Sequence, residues 1–221
     1  MNGGRLLIGV DCDEPLVDMN TYLQAWHNHE YGTKIRKEDV YTFKLWNVWK
    51  CEKDESTARI HKFYASSAFD QMTPTKGSIE GIEYLARHHD LLVLTSRSGV
   101  SVPKTKPFLD KHYFQKFSEI IFSGNYAMSN KKHITKAEIC LEKGIDLLIE
   151  DCLRYALQCQ EKEVPVILLD CPWNRERELQ EEGLEKLPSG IVRAKDWQQI
   201  LLGVDLFVKD RKRFYEIDSF D

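Results

Sequence analysis

The stretch from Leu6 to Met19, LLIGVDCDEPLVDM, decides the fold of this chain. Its mostly apolar first half leads into Asp11, and a single cysteine separates Asp11 from Asp13. In an extended segment successive side chains point to opposite sides, so the two carboxylates share one side and Cys12 points away from both, into the core. A buried strand that ends in two carboxylates predicts a chemical site at its carboxyl end.

Further short apolar runs follow along the chain, at 91–95, 119–122, 146–150 and 164–169, with a weaker one at 190–194. They are apolar throughout instead of alternating with polar residues, which is typical of parallel strands covered on both faces. Helical patterns separate them, including one that Thr135 caps and Gly144 ends. The alternation predicts an α/β fold with a Rossmann-like, doubly wound parallel sheet.

The segment 16–75 breaks this alternation, because it contains no convincing strand and is dense in aromatic residues. An insertion directly after the first strand lies over the carboxyl ends of the strands, where ligands bind in open α/β sheets. We therefore predict a small helical cap at 16–75, an α/β core formed by 1–15 and 76–205, and a C-terminal tail at 206–221. The tail is expected to be a peripheral helix or a partly ordered end.

Composition narrows the function classes. The 221 residues carry 31 Lys and Arg against 35 Asp and Glu, for a net charge of −4, which gives no reason to expect a nucleic-acid partner. No stretch approaches the ~18 apolar residues of a membrane helix, and the first apolar run is too short for a signal peptide. The six cysteines form no CxxC pair. These features predict a reduced, cytoplasmic enzyme without a membrane partner.

Three of the predicted strands end in polar residues. These are, in chain order, Asp11 and Asp13; Thr95, Ser96 and Arg97; and Glu150 and Asp151. The carboxyl ends of parallel strands meet at one edge of a sheet, and several carboxylates in a small space repel unless protons or a cation join them. A hard dication with oxygen ligands removes that repulsion, and the expected ion is Mg²⁺.

A carboxylate held by Mg²⁺ can attack phosphorus and form an aspartyl phosphate. A second aspartate then protonates the leaving oxygen and later deprotonates the attacking water. A hydroxyl from Thr95 and a lysine cation are suited to bind the phosphoryl oxygens. The lysine candidate is Lys136, at the start of the helix before the fourth strand, with Lys131, Lys132 and Lys143 as alternatives.

These motifs, in this order, resemble those of the haloacid dehalogenase phosphohydrolase superfamily. VDCDEPLVD resembles its DxD motif, LLVLTSR its second motif, and a lysine followed by LLIED its third and fourth. Within that superfamily the chain is most similar to the 5′(3′)-deoxyribonucleotidase-like group, which carries a helical cap after the first motif. The segments YGTKIRKEDV, KAEICLEKGIDLLIEDC and DCPWNRE also resemble that group. The resemblance covers nearly the whole chain.

The resemblance implies a Mg²⁺-dependent hydrolase of small phosphomonoesters, with a nucleoside monophosphate as the leading substrate. Asp11 is the implied nucleophile, and Asp13 the implied acid and base, with its backbone carbonyl on the metal. Thr95 and Lys136 are implied to bind phosphate, and Glu150 and Asp151 to complete the metal shell. Beside Thr95, Ser96 is a further phosphate candidate, and Arg97 is equally suited to bind phosphate or to pair with a surface acid.

The sequence departs from the family pattern at three places. Glu14 stands where glycine is frequent, and Pro15 stands where threonine or valine is usual. The acidic pair is Glu150-Asp151 instead of two aspartates, which leaves open the residue that contacts the metal directly. Two alternatives also stay open: a phosphatase of sugar phosphates or other small phosphomonoesters, and a non-catalytic binding protein on the same scaffold.

Further side chains are candidates for contact with the substrate. In YTFKLW, Phe43 and Trp46 are suited to stack on a planar ring and Lys44 to meet a charge, although core packing is commoner for any one aromatic side chain. Trp173, after the fifth strand, is expected to cover the sheet edge in preference to lining the pocket. A homodimer is compatible with the sequence, which does not fix the oligomeric state.

Overall fold

The computed structural model describes residues 4–97, 101–124 and 134–220. The strands are β1 Leu7–Val10, β2 Asp90–Thr95, β3 Ile120–Phe122, β4 Leu147–Glu150, β5 Val166–Leu169 and β6 Ile191–Ala194. The α-helices of these residues are α1 Met19–Tyr31, α2 Leu45–Trp49, α3 Lys53–Ala65, α4 Ser67–Asp70, α5 Ser78–His88, α6 Val102–His112, α7 Lys136–Lys143, α8 Leu153–Gln160, α9 Glu176–Glu181, α10 Trp197–Lys209 and α11 Arg211–Phe214. Among these helices, none combines the length and the apolar character needed to cross a membrane.

The six strands form one parallel sheet in the order β3-β2-β1-β4-β5-β6. Each of the predicted strands is present, and the predicted Rossmann-like, doubly wound α/β fold is confirmed. The strand order reverses between β1 and β4, which are neighbours in the sheet. In sheets of this kind a ligand binds outside the carboxyl ends of the strands at such a reversal.

Both faces of the sheet are covered, which explains why most residues of the strands are apolar. Along β2, Leu91 and Val93 belong to one hydrophobic cluster, and Leu92 and Leu94 belong to a second one. The first cluster also contains buried residues of α5 and α10, and the second contains those of α7 and α8. Strands that are buried on both sides cannot show the polar alternation of a half-exposed strand.

Helix α7 begins and ends as its sequence predicts. The Thr135 side chain accepts a hydrogen bond from the Glu138 backbone N–H at 3.1 Å, and the Glu138 carboxylate accepts from the Thr135 backbone N–H at 2.8 Å. Gly144 ends the helix with a φ of 68°, a conformation that glycine adopts without a side-chain clash. This capping box fixes the first helical residue, Lys136.

Residues 16–75, called the helical insertion below, contain α1 to α4 and a 3₁₀ helix at Lys37–Asp39. No regular strand forms in this segment, all of which the structure describes. Its aromatic residues pack on one another: the imidazole of His27 stacks on the Trp49 indole at 4.4 Å, and the ring of Phe63 lies 5.6 Å from that of Phe69. Helices of this length need such packing to be stable.

The C-terminal segment differs from the predicted tail. Helix α10 crosses the expected boundary between residues 205 and 206 and ends at Lys209. Phe207 and Phe214 are buried and pack on each other with ring centroids 5.1 Å apart. The Arg193 backbone N–H donates to the Asp218 carbonyl at 2.8 Å, next to β6. The apolar stripe of α10 continues past residue 205, so burial of that stripe holds this end of the chain against the core.

Candidate active site

A cavity of about 230 Å³ lies at the carboxyl ends of β1 and β4. The helical insertion supplies one wall, and the α/β core supplies the other. The core wall includes most of the predicted site residues: Asp11, Asp13, Ser96, Arg97, Lys136, Glu150 and Asp151. The structure therefore brings together residues that lie up to 140 positions apart in the sequence, at the edge where the strand order predicts a ligand.

Lys136 lies between two acids of the cavity. Its Nζ donates to Asp11 Oδ1 and to Glu150 Oε2, both at 2.7 Å, and all three side chains are buried. Burial alone would lower the pKa of Lys136, but the two carboxylates raise that pKa well above its ordinary value. Lys136 is therefore a fixed cation at the site.

The alternative lysines have other positions. Lys143 lies at the far end of α7, where its Nζ donates to Glu119 at 2.7 Å, and it does not line the cavity. Lys131 and Lys132 fall outside the residues that the structure describes. Lys136 is thus the lysine that the described residues bring to the cavity.

Three of the acids form a buried cluster. Asp11, Glu150 and Asp151 each offer an oxygen, and these oxygens all lie within 4.8 Å of one another. Burial raises the pKa of Asp11 to about 7, although Lys136 opposes the change. Burial, with the Glu150 charge added, also raises the pKa of Asp151 well above its ordinary value. Without a further cation, the folded protein therefore favours the protonated forms of Asp11 and Asp151 more than the unfolded chain does.

The charges and the donor atoms of the site fit a divalent cation. Five carboxylates line the cavity, and one of them, Glu14, pairs with Lys37 outside it; the other four share the cavity with two cations, Lys136 and Arg97. Fully ionised, this set leaves two negative charges uncompensated. Carboxylate oxygens are the ligands that Mg²⁺ prefers, so the residues present suit a magnesium ion.

The two residues of the Glu150-Asp151 pair have different environments. Glu150 Oε1 accepts from the backbone N–H groups of Asp151 and Cys152, both at 3.1 Å, while its Oε2 accepts from Lys136. Both oxygens of Glu150 are thus occupied by protein donors. Asp151 accepts through Oδ2 from the Trp173 indole at 2.8 Å. Asp151 is therefore the member of the pair better placed to turn an oxygen towards a ligand.

Trp173 corrects one expectation, because it lines the cavity and is not merely a cover for the sheet edge. Its indole N–H has to find an acceptor when it is buried, and that acceptor is Asp151. The neighbouring Asn174 donates through Nδ2 to the Asp151 carbonyl at 2.7 Å. The CPWN segment after β5 thereby fixes the orientation of a site carboxylate, a role that single-sequence reasoning missed.

Arg97 pairs with Asp13. Its Nη2 and Nε donate to Asp13 Oδ1 at 2.6 and 3.0 Å, and its Nη1 donates to Thr105 Oγ1 at 3.0 Å. The guanidinium also lies 4.9 Å from the centroid of the Phe69 ring. The partner of Arg97 is therefore a site carboxylate and not a surface acid. Asp13 keeps 21% of its side chain exposed, towards the cavity that it lines.

The two hydroxyls at the carboxyl end of β2, those of Thr95 and Ser96, differ in burial. Ser96 lines the cavity, whereas Thr95 is completely buried and is not part of its lining. Thr95 Oγ1 accepts a hydrogen bond from the Arg97 backbone N–H at 3.2 Å. Thr95 therefore supports the turn that carries Arg97, and Ser96 is the residue of the two that lines the cavity.

Glu14 occupies a backbone conformation that suits glycine, with a φ of 70°. A non-glycine residue adopts it at a cost of about 1–3 kcal/mol. Contacts of the Glu14 carboxylate offset this strain: it accepts from the Asn20 backbone N–H at 2.8 Å and from Lys37 Nζ. Burial raises the pKa of Glu14 to about 7, although Lys37 opposes the change. Glu14, at the position where glycine is frequent in the family, thus forms an ion pair with Lys37 of the helical insertion.

The loop after Asp13 is held by side chains from the end of the helical insertion and from distant parts of the core. Its three successive carbonyls, those of residues 14, 15 and 16, accept from Thr75 Oγ1 at 2.5 Å, Trp197 Nε1 at 2.8 Å and the Tyr113 hydroxyl at 2.6 Å. The donors are far apart in the sequence, at positions 75, 113 and 197, and no local sequence signal marks them. These contacts fix the loop that carries the DxD motif into the insertion.

The three candidates for substrate contact in YTFKLW have different positions in the structure. Phe43 lines the cavity, and its ring lies edge-on to that of Tyr155 at 6.4 Å. Lys44 and Trp46 do not line it, which corrects the expectation for both: Lys44 Nζ donates to Glu181 at 3.1 Å, and the Trp46 ring lies under Lys53. The wall is completed by residues that the sequence did not single out, among them Asn20, Tyr64 and Tyr155.

The parallel sheet with carboxylates at the ends of β1 and β4 is the arrangement expected of a phosphatase of the haloacid dehalogenase superfamily. The sequence profile of one of its families, described as "5′ nucleotidase, deoxy (Pyrimidine), cytosolic type C protein", matches residues 5–207. The chain belongs to this family of phosphatases and nucleotidases. No curated protein sequence matches the chain significantly.

Solved structures share the fold at low sequence identity. A haloacid dehalogenase-like hydrolase from Streptococcus pneumoniae is 15% identical with a TM-score of 0.63, and the match covers 91% of this chain and 99% of that one. A protein described as a predicted phosphoglycolate phosphatase from Haemophilus somnus is 16% identical with a TM-score of 0.60, over 91% and 98% of the two chains. At these identities the likeness concerns the fold alone.

The buried acids predict how stability depends on pH in the absence of metal. The folded pKa values of Asp11 and Glu14 are raised to about 7 from 3.8 and 4.5, so between these limits the folded protein binds more protons than the unfolded chain. Stability therefore falls as pH rises through this window. In EDTA, we expect the Tm to fall by roughly 5 °C or more from pH 5 to pH 8.

Added Mg²⁺ should raise the Tm more at pH 8 than at pH 5, because it binds ionised carboxylates. Differential scanning fluorimetry at the two pH values measures both effects. Asp11→Asn removes one of the titrating groups, so its Tm should fall less with pH than that of the wild type. A Tm in EDTA that rises over the same interval would contradict the account.

Proposed function

We propose that the protein is a Mg²⁺-dependent 5′-nucleotidase that hydrolyses (deoxy)nucleoside monophosphates through an aspartyl phosphate on Asp11. The observation that carries the proposal is the contact of Lys136 with Asp11 inside a buried cluster of acids that suits a dication. The description of the matching family supports the substrate class.

The first step is attack by a carboxylate oxygen of Asp11 on phosphorus, with cleavage of the bond between phosphorus and the ester oxygen. Lys136 assists this attack in two ways. Its Nζ holds Asp11 in place through Oδ1, and its positive charge lies beside the phosphoryl oxygens. A bound Mg²⁺ would be held by Asp11, the Asp13 carbonyl and Asp151, and would supply further positive charge to the phosphoryl group. Ser96 is the hydroxyl placed to donate to a phosphoryl oxygen.

Asp13 carries the proton in both halves of the reaction. In its protonated form it donates to the leaving ester oxygen; as the carboxylate it then accepts a proton from the water that cleaves the aspartyl phosphate. Arg97 donates its two shortest hydrogen bonds to Asp13 Oδ1, at 2.6 and 3.0 Å, and its contact with Oδ2 is longer, at 3.2 Å. Oδ2 is therefore the oxygen that we assign to proton transfer.

The insertion wall favours a nucleoside over a sugar as the leaving group. It is built mainly from apolar and aromatic side chains, such as Leu23, Leu45 and Phe43, which suit a planar base. Three polar side chains stand among the described insertion residues of this wall, so most of the several hydroxyls of a sugar phosphate would lose water there without gaining partners. In this proposal residues 16–75 act as the cap over the site. We also propose a cytosolic location, in line with the family description and with six cysteines that are all free thiols.

Phosphate release from a panel of phosphomonoesters tests the proposal. The panel holds ribo- and deoxyribonucleoside monophosphates, sugar phosphates and an aryl phosphate, each measured with Mg²⁺ and with EDTA. We expect release that depends on Mg²⁺ and a higher kcat/KM for nucleotides than for sugar phosphates. A higher kcat/KM for a sugar phosphate than for the nucleotides would favour a sugar-phosphate phosphatase. No phosphate release from any ester would favour a non-catalytic binding protein.

The Glu150-Asp151 pair gives a prediction about the metal. Asp151→Asn should raise the Mg²⁺ concentration for half-maximal activity by more than tenfold, because it removes a direct ligand. In Glu150→Gln, the new N–H₂ group must face either Lys136 or the backbone N–H groups, which are all donors. A buried donor without an acceptor destabilises the fold, so the main expected effect is a lower Tm. Magnesium titrations and melting curves of both variants measure these effects. Equal metal requirements in the two variants would refute the assignment of Asp151 as the direct ligand.

A further inference from the structure

A buried arginine connects the helical insertion to the site carboxylate Asp13. The Arg97 side chain has no exposed surface, and its Nη2 and Nε donate to Asp13. The guanidinium carbon lies over the ring of Phe69, a residue of α4 in the insertion, at 4.9 Å from the ring centroid. Phe69 is 3% exposed and is not among the described residues that line the cavity. Any effect of Phe69 on the reaction therefore passes through its neighbours.

Hydrogen bonds hold the Arg97 guanidinium at two places. Its Nη2–Nε edge donates to Asp13, at 2.6 and 3.0 Å. Its Nη1 donates to Thr105 Oγ1 at 3.0 Å, and the Thr105 hydroxyl donates its own proton to the Ser101 carbonyl at 2.7 Å. A guanidinium donates only within its plane. Displacements that these bonds do not prevent are resisted by packing, and the Phe69 ring is part of that packing.

The Phe69 ring is itself held in place. It lies nearly perpendicular to the ring of Tyr64, with centroids 5.4 Å apart. Lys104 of α6 donates through Nζ to the Ser66 carbonyl at 3.1 Å and to Asp70 at 2.9 Å, which attaches α4 to the core at both of its ends. The ring is therefore a fixed surface against which Arg97 packs.

Burial strengthens the contact between Arg97 and Phe69. A guanidinium is attracted to the face of an aromatic ring, and the attraction increases where water is excluded. Phe69→Leu or Phe69→Met would keep an apolar side chain without this attraction, and would leave space beside the guanidinium. We expect the guanidinium to move into that space and to displace the Asp13 carboxylate, since the two groups share short hydrogen bonds.

The orientation of Asp13 matters for one step of the proposed reaction. As the bond between Asp11 and phosphorus forms, the bond between phosphorus and the ester oxygen breaks, and the ester oxygen takes a proton from Asp13. This transfer requires the donor and the ester oxygen to lie within hydrogen-bond reach, and small displacements are costly. A shift of Arg97 would lengthen that contact, because Arg97 is bound directly to the Asp13 carboxylate.

We propose that Phe69 is a positioning residue, whose ring holds Arg97 and thereby keeps Asp13 in the orientation for proton transfer to the leaving group. This inference rests on the proposed phosphomonoester hydrolysis. It predicts an effect that depends on the leaving group. The alkoxide of an alkyl ester, such as a nucleotide, is strongly basic and leaves with a proton, whereas 4-nitrophenolate is a weak base and leaves without one.

The test compares benzyl phosphate with 4-nitrophenyl phosphate. Both esters carry the same phosphoryl group and one aromatic ring, but only the benzyl ester has a strongly basic leaving group. The measured quantity is the ratio of kcat/KM for the benzyl ester to kcat/KM for the nitrophenyl ester within each variant, so that a general loss of activity cancels. Loss of a phosphate contact would lower both values alike and leave the ratio unchanged.

The variants separate the role of Phe69 from a general effect on packing. Phe69→Leu and Phe69→Met both remove the ring, so either one serves if the other fails to fold. Arg97→Lys removes the guanidinium and keeps the charge. Phe207→Leu is the matched control, because Phe207 is also buried and lies 4.6 Å from the guanidinium carbon of Arg211, but does not line the cavity.

We expect the ratio to fall by about tenfold or more in each Phe69 variant and in Arg97→Lys, and to keep its wild-type value in Phe207→Leu. Combining Phe69→Leu with Arg97→Lys should lower the ratio no further than the stronger single variant, because both changes act through one contact. An unchanged ratio in the Phe69 variants, or a further fall in the double variant, would overturn this inference alone. A wild type that hydrolyses neither ester would overturn the proposed function and this inference with it.

Discussion

Asp11→Asn is expected to lower Mg²⁺-dependent phosphate release by a factor of about 10⁴ or more. The variant keeps the shape of the side chain and an oxygen that can accept from Lys136, but it lacks the carboxylate that attacks phosphorus. Initial rates with the best nucleotide of the panel, at saturating Mg²⁺, measure the loss.

Two further variants serve as a comparison and a control for Asp11→Asn. Asp13→Asn should lose about 10²–10⁴ in rate, because the reaction then lacks its proton donor and acceptor. Asp54→Asn, at an exposed position on α3, should have wild-type activity. Circular dichroism and melting curves should show that all three variants fold. If Asp11→Asn retained more than a few per cent of the wild-type rate, Asp11 would not be the nucleophile.

Lys136→Met is expected to affect stability and activity together. The substitution leaves Asp11 and Glu150 buried without the cation that contacts both. Removing one partner of a buried ion pair costs about 3–5 kcal/mol, which corresponds to a fall in Tm of roughly 10 °C for a chain of this length. Loss of the positive charge beside the phosphoryl group should also lower kcat by about 100-fold or more.

The matched control for this prediction is Lys143→Met, at the other end of α7. Lys143 pairs with Glu119 at 2.7 Å, but 35% and 48% of the two side chains are exposed. A pair of this exposure contributes about 0–1 kcal/mol, so the control should lose little stability and no activity. The account would be wrong if the two lysine variants lost the same amount of stability, or if Lys136→Met kept the wild-type kcat.

Much of the fold could be predicted because the signals were local. Each strand is a short run without polar alternation, and a sheet with helices on both faces requires that pattern. The start of α7 follows from Thr135 and Glu138, which cap it through their own backbone neighbours. The meeting of Asp11 with Glu150 then follows from strand order, since β1 and β4 are neighbours in the sheet.

The parts that could not be predicted depend on tertiary packing. Phe43 faces the cavity while Lys44 and Trp46 face elsewhere, because the orientation of the helical insertion is set by its contacts with the core and not by its own sequence. Trp173 orients Asp151 across 22 positions of sequence, which no periodicity reveals. The C-terminal residues pack on the core because the apolar stripe of α10 continues beyond residue 205.

The central claim is that the phosphoryl group passes through Asp11, and trapping the intermediate tests it most directly. The protein is mixed with Mg²⁺ and its best nucleotide, quenched during turnover and reduced with borohydride, which converts an aspartyl phosphate to homoserine. Peptide mass spectrometry then locates the change. We expect homoserine at position 11 in the wild type and none in the Asp11→Asn variant. Phosphate release without any change at position 11, or with the change at another residue, would contradict it.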